Sequence, residues 1–149
     1  MRVREICSFG TVTCHREASA LDVAKLMHDR HVGAVIVVEG RQGGIVPIGV
    51  VTDRDLAIQV MAKEIDPASI RADDLLARDC VTLLDSDVAY EAIWQMRRSS
   101  VRRLPVVDAQ GHLVGIVAMD DLNRFLAQEL NDMAGIAEHQ VRVEKSRGI

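Results

Sequence analysis

Apolar positions along the chain fall into short Val-rich runs, separated by stretches where they recur at helical spacing. Val32 to Val38 is a continuous apolar run, the pattern of a strand buried on both faces. Ile45 to Val51 is a second run, and Pro47 within it predicts an edge position or a bulge. Between them, Glu39-Gly40-Arg41-Gln42-Gly43-Gly44 reads as a turn-rich loop. Upstream, Thr11-Val12-Thr13 reads as a short strand. Ser19 and Asp22 form a capping-box pattern, followed by Val23, Leu26, Met27 and Arg30 at helical spacing. A further helix is predicted from Asp53 to about Lys63, ended by Asp66-Pro67. Val3 to Cys7 fits either a short helix or an extended segment.

The pattern then starts again. Shifted by 69 positions, Val12-Thr13 falls on Val81-Thr82, Ala20 on Ala89, Met27 on Met96, Val32 on Val101 and Val37-Val38 on Val106-Val107. No gap is needed over that span. The second loop, around Asp108-Ala109-Gln110-Gly111, is three residues shorter, so Gly49 matches Gly115 at a shift of 66. Each copy reads strand, helix, strand, strand, helix, and such a repeat decides the architecture. One copy alone leaves a Val-rich sheet face bare. Two copies packed sheet to sheet bury each other's faces, at roughly 25 cal/mol per Å² of apolar area. The expected fold is therefore α/β (α+β): two pseudo-two-fold-related β-α-β-β-α repeats, over 1–65 and 66–123, plus a C-terminal helix and tail over 124–149.

That last stretch has no counterpart in the first copy. Leu122, Leu126, Leu130, Met133, Ile136, Ala137 and Val141 continue a helical stripe past the point where the first copy stops. Gly135 weakens the helix without having to end it. The stripe calls for a partner, either a second subunit or the chain itself, and we expect a homodimer built from the repeat helices and this C-terminal helix. Glu144 to Ile149 are expected to fray.

Composition adds bounds. Hydrophobic residues are 48% of the 149 and aromatics only 3%, so the core is aliphatic. The formal charge is −4 with both signs interspersed, which argues against a nucleic-acid partner. Cys7, Cys14 and Cys80 are an odd set without framework spacing and read as reduced thiols. No run approaches membrane-spanning length, and Met1-Arg2-Val3-Arg4-Glu5 lacks the apolar core of a signal peptide. No membrane partner and a cytoplasmic location are the resulting expectations.

The chemistry concentrates at Gly49-Val50-Val51-Thr52-Asp53-Arg54-Asp55-Leu56, where a buried strand runs into a helix. Thr52 and Asp55, three apart at that junction, face the same space as the free N–H groups of the helix start. A hydroxyl and N–H groups suit a phosphate, and a carboxylate suits ribose hydroxyls. The same pair is also a capping box that satisfies the helix and nothing else.

Together with Val101-Arg102-Arg103-Leu104-Pro105-Val106-Val107-Asp108 and Gly115-Ile116-Val117, these eight residues resemble a tandem pair of CBS domains. The modules take their name from cystathionine β-synthase and occur also in inosine monophosphate dehydrogenase and the γ subunit of AMP-activated kinase. The resemblance runs from about Val3 to Asn123. It implies a non-catalytic regulatory module, usually dimeric, that binds AMP, ADP, ATP or S-adenosylmethionine between the repeats, with no further cofactor. It assigns the ribose to Asp55 and the phosphate to Thr52. In the second copy Asp121 matches the acid, but Ala118 replaces the hydroxyl, so unequal sites are expected. It gives Arg102 and Arg103 a reach toward phosphates, although a solvated pair on a strand start is the alternative. Their first-copy equivalents are Gly33 and Ala34. Arg54 lies within the motif. Gly33, Ala34 and Val35, with the leading strand through Thr13, match positions that enclose the base.

Other clusters carry less. Cys14-His15 and His28-x-x-His31 lack the partners of a tetrahedral metal set. No nucleophile–base arrangement or phosphate-loop glycine pattern is present. The rival to a nucleotide sensor is a purely structural dimerisation module with empty clefts. The regulated protein partner is unknown.

Overall fold

The computed structural model describes residues 1–76 and 79–148. Two three-stranded sheets with the same topology make up the molecule. The first comprises β1 (Thr13–His15), β2 (Ala34–Arg41) and β3 (Gly44–Thr52), with α2 (Ala20–Arg30) between β1 and β2. The second comprises β4 (Leu83–Leu84), β5 (Arg103–Val107) and β6 (Leu113–Ala118), with α4 (Ala89–Ser99) between β4 and β5. In each sheet the first pair is parallel and the second antiparallel. β3 lies against β5 and β6, so the sheets face one another.

The sequence locates most elements, though β1 starts at Thr13 rather than Thr11 and a 3-10 turn at Asp73–Leu75 was not expected. The segment after Arg2 resolves as a short helix, α1 (Val3–Ile6). The loop expected over Glu39–Gly44 shrinks to a turn at Gln42-Gly43, because β2 and β3 pair as far as Arg41 and Gly44. Gly43 takes φ +80°, which the tight hairpin requires. Pro47 coincides with a bulge: Val37 pairs with Gly49 but Val38 with Pro47, leaving Ile48 as the extra residue. After β3 the chain enters α3 (Asp53–Leu56) and loosens into a wider π turn over Ala57–Met61 rather than a uniform helix. The Ser19–Asp22 capping box is present, with the Asp22 N–H donating to Ser19 Oγ at 3.1 Å. α5 runs unbroken from Met119 to Arg147, so the expected fraying from Glu144 is absent through that residue.

Sequence order and spatial order part company at the leading segments. Val3, Ile6 and Cys7 pack into the core of the second half, with Leu83, Met96, Leu104 and Val117. Ala72 and Leu75, their counterparts 69 residues on, pack into the core of the first half, with Val23, Val35 and Val51. The backbone hydrogen bonds repeat this exchange. Ala72 N–H donates to the Ala18 carbonyl at 2.7 Å and Ala20 N–H to Ile70 at 2.8 Å. Shifted by one repeat, Val3 N–H donates to Asp87 at 2.8 Å and Ala89 N–H to Met1 at 3.1 Å. Each half is therefore completed by a short helical segment that belongs, in sequence, to the other.

Gly49 and Gly115 sit where the exchanged segments press against the sheets. A Cβ on Gly115 would lie 2.9 Å from the Ser8 carbonyl oxygen and 3.1 Å from Cys7 Sγ. One on Gly49 would lie 2.4 Å from Leu76 Cδ2. The Gly115 clash is with backbone held by reciprocal Ser8–Ile116 hydrogen bonds, each 2.9 Å, and so cannot be relieved by a rotamer change. Gly115→Ala is expected to cost about 1–3 kcal/mol, as overpacking does. Gly40→Ala, with open space around the new methyl, should be near neutral. Urea unfolding of both variants checks the difference.

Candidate functional site

Between the halves lies a cleft of about 480 Å³. One wall is the β3–α3 junction, with Gly49, Val50 and Thr52 through Asp55. The opposite wall comes from the second half: Asp79, Cys80 and Val81 before β4, and Ser99 through Pro105 from the end of α4 into β5. Leu75 and Leu76 close one side. Thr52, Arg54, Asp55, Arg102 and Arg103 thus share one cavity although they are up to 51 positions apart.

Local structure fixes the junction. Thr52 keeps extended backbone, φ −108° and ψ 163°, and caps α3. Asp55 Oδ2 accepts from the Thr52 N–H at 2.8 Å and from Thr52 Oγ1 at 2.9 Å, while the Asp55 N–H donates to Thr52 Oγ1 at 3.2 Å. The box occupies one carboxylate oxygen. The other, Oδ1, has Gln59 Nε2 at 3.5 Å, beyond the usual hydrogen-bond range. Gln59 also donates to the Leu75 carbonyl at 3.3 Å, tying the π turn to the exchanged segment. Cap and candidate ligand group are therefore one residue pair, with an acceptor oxygen left over.

Charges of both signs meet here. Arg54 and Arg102 are exposed and Arg103 half-buried, against Asp53, Asp55 and Asp79. Arg103 reaches back across the interface: a Cβ on Gly33 would lie 3.4 Å from Arg103 Nη2 and 3.1 Å from Asp53 Oδ2. The remaining wall is apolar, from Leu75, Leu76, Val81, Val101, Leu104 and Pro105. Burial pushes the Cys80 thiol up to about 11, so it presents a neutral S–H to this wall. The cavity thus gathers cations, a carboxylate oxygen held only by a long Gln59 contact, and an apolar wall.

Several expected positions lie elsewhere. Thr13, Gly33, Ala34 and Val35 do not line this cleft. Thr13 pairs with Ile36 and Ala34 with Thr52 inside the first sheet, and Val35 is fully buried in its core. In the two-fold arrangement this cleft takes its junction from one half and its facing wall from the other. The wall opposite Thr52 is accordingly formed by positions one repeat on, Cys80, Val81 and Arg102 to Leu104. Of these, Arg102 and Arg103 were named from the sequence, whereas Cys80, Val81 and Leu104, with Gln59 and Asp79, were missed, although the 69-residue shift pointed to most of them.

Asp121 is also outside the cleft. It is 8% exposed; Oδ2 accepts from the Ala118 N–H at 2.7 Å and Oδ1 from Arg124. Without a hydroxyl at Ala118, the second junction keeps the carboxylate for its own cap and an arginine one turn along. Among the described residues no three His, Cys, Asp or Glu side chains gather as a metal site. His28 closes the last turn of α2 beside Asp29, its ring nitrogen 3.0 Å from the carboxylate.

Comparison with known proteins identifies the fold. The chain is 32% identical over 120 residues to an uncharacterised protein of Methanopyrus kandleri, covering 80% of this chain and 60% of that one. It is 33% identical over 127 residues to hypoxic response protein 1 of Mycobacterium tuberculosis, covering 84% and 85%. A solved CBS domain protein from Pyrobaculum aerophilum, complexed with AMP, superposes with a TM-score of 0.73 at 26% identity, covering 81% of this chain and 89% of that one. The CBS domain model itself matches residues 3–62 and again 72–128. With both repeats matched in tandem, the chain belongs to the CBS domain family.

Proposed function

We propose that the chain is a non-catalytic sensor that holds an adenine nucleotide in the cleft between its halves. The observation that carries this reading is the convergence of Asp55 and Thr52 from one half with Arg102 and Arg103 from the other around a single cavity. Asp55 Oδ1 accepts from the ribose hydroxyls. Thr52, Arg54, Arg102 and Arg103 serve the phosphate, with Thr52 Oγ1 turning its proton from Asp55 toward a phosphate oxygen. The base lies against Val81, Val101 and the neutral Cys80 thiol. The AMP complex of the Pyrobaculum aerophilum relative supports the choice of ligand class. Because the walls belong to different halves, bound ligand favours one relative placement of the sheets over others, and a regulated protein or second subunit reads that placement. The ligand shifts this equilibrium only by its difference in affinity for the two arrangements.

Asp55→Ala is expected to weaken AMP or ATP binding at least tenfold in isothermal calorimetry, whereas Asp121→Ala leaves affinity close to that of the parent chain. Equal effects from the two would remove the assignment of the ribose to Asp55. Both variants lose a helix cap worth about 1 kcal/mol, so the titrations belong well below the melting temperature.

Unfolding monitored with AMP, ATP or S-adenosylmethionine separates a sensor from a purely structural module. Ligand at 100 times its Kd should add about 2.7 kcal/mol of stability. No shift with any of the three favours the structural reading.

A further inference from the structure

The cleft holds as many acids as bases. Arg54, Arg102 and Arg103 line it together with Asp53, Asp55 and Asp79. Asp55 is engaged in its cap with Thr52 and takes the ribose, which leaves Asp53 and Asp79 without a task in the site. Asp53 follows Thr52 directly in the chain, and local structure fixes where its carboxylate stands. Its N–H donates to the Gly33 carbonyl at 3.1 Å, and its Oδ1 accepts from the Arg54 N–H at 2.8 Å. With the Asp55 N–H on Thr52 Oγ1, the first three N–H groups of α3 all have acceptors within the chain. Contrary to what the sequence suggested, a phosphate finds no free N–H among them and relies on side chains. Asp53 Oδ2 stands over Gly33, where a Cβ would lie 3.1 Å from it and 3.4 Å from Arg103 Nη2. The carboxylate and the guanidinium thus flank one point from opposite halves. Among the described residues neither belongs to an ion pair.

Electrostatics decides which ligands gain from this arrangement. Arg54 and Arg102 are exposed, and water and salt weaken what an exposed arginine contributes. Arg103 is half-buried and the least screened of the three cations, and it is the one that faces Asp53. A phosphate monoester carries a charge of about −2 near neutral pH, and each further phosphoryl group adds to it. Thr52 and Arg103 suffice for a single phosphate. A longer phosphate chain brings more negative charge up against Asp53, with only the exposed arginines to offset the repulsion. The formal charge of −4 on the whole chain supplies no long-range attraction for a polyanion either. Size is not the limit, because a cleft of about 480 Å³ lies within the range that encloses ligands as large as a triphosphate.

We propose that Asp53 is a specificity residue that restricts the cleft to adenosine ligands of low phosphate charge, the monophosphate ahead of the di- and triphosphate. The proposal rests on the nucleotide reading above, which puts the phosphate beside Thr52 and the arginines. It adds that one carboxylate, set opposite the least screened arginine, sets the number of phosphates the site accepts.

Isothermal calorimetry of the full chain with AMP, ADP and ATP tests it, in EDTA so that no divalent cation masks the phosphate charge. Affinity should fall along that series, with ATP bound at least about tenfold more weakly than AMP. Asp53→Asn removes the charge but keeps an Oδ1 acceptor for the Arg54 N–H, and the position is exposed, so the fold survives. It should strengthen ATP binding about tenfold and AMP binding no more than about threefold, which narrows the ratio. Glu129→Gln removes the same charge from an exposed position on α5 outside the cleft and should leave the ratio as it is. A parent chain that prefers ATP, a ratio untouched by Asp53→Asn, or an equal change in Glu129→Gln would overturn the proposal and leave the nucleotide reading standing. Failure of all three nucleotides to bind either the parent or Asp53→Asn would remove the nucleotide reading, and this proposal with it.

Discussion

The structure depends on two half-cores that neither half can close from its own contiguous sequence. Val3, Ile6 and Cys7 fill the second core, and Ala72 and Leu75 fill the first. Burial of aliphatic surface between facing sheets drives the association. The exchanged segments add directional backbone hydrogen bonds that fix which faces meet and in what register. Gly49 and Gly115 are the positions where that closeness leaves no room for a side chain. With the halves packed in this way, a junction on one and a wall on the other face each other. The cleft is the space that remains.

Within the cleft, one residue pair performs two tasks. Thr52 and Asp55 terminate β3 and start α3, and the same atoms stand at the cavity surface. A cap that already orders a carboxylate lowers the conformational cost of using it for binding. The second junction shows what happens when one member is lost. Ala118 supplies no hydroxyl, and Asp121 is held between its own helix start and Arg124. The two junctions thus differ in which partners hold the carboxylate, within the same fold.

Much of this was legible in the residues. The repeat emerged because equivalent apolar positions recur at a constant shift, and the bulge at Pro47 because proline lacks a ladder donor. The Thr52–Asp55 pair was legible because strand, cap and carboxylate fall in one short stretch. Thr13, Gly33, Ala34 and Val35 stand apart from the Thr52 cleft because linear reading joins neighbours in sequence, whereas two-fold packing joins a junction to the opposite copy. The fate of Asp121 depended on an arginine rotamer, which no pattern of residue types reveals. The exchange of leading segments was hidden as well, since Val3 and Ala72 look alike to either core.

That exchange orders events during synthesis. Met1 to Ser8 precede in chain order partners that extend to Ile116, while the first sheet is complete once Leu75 and Leu76 have been made. A leading segment that stays idle until its partners are made is exposed to mispairing. A neighbouring nascent chain offers the same Asp87 and Ile116 backbone groups. Domain swapping between copies of this protein is thus the misfolding route most directly encoded in its topology.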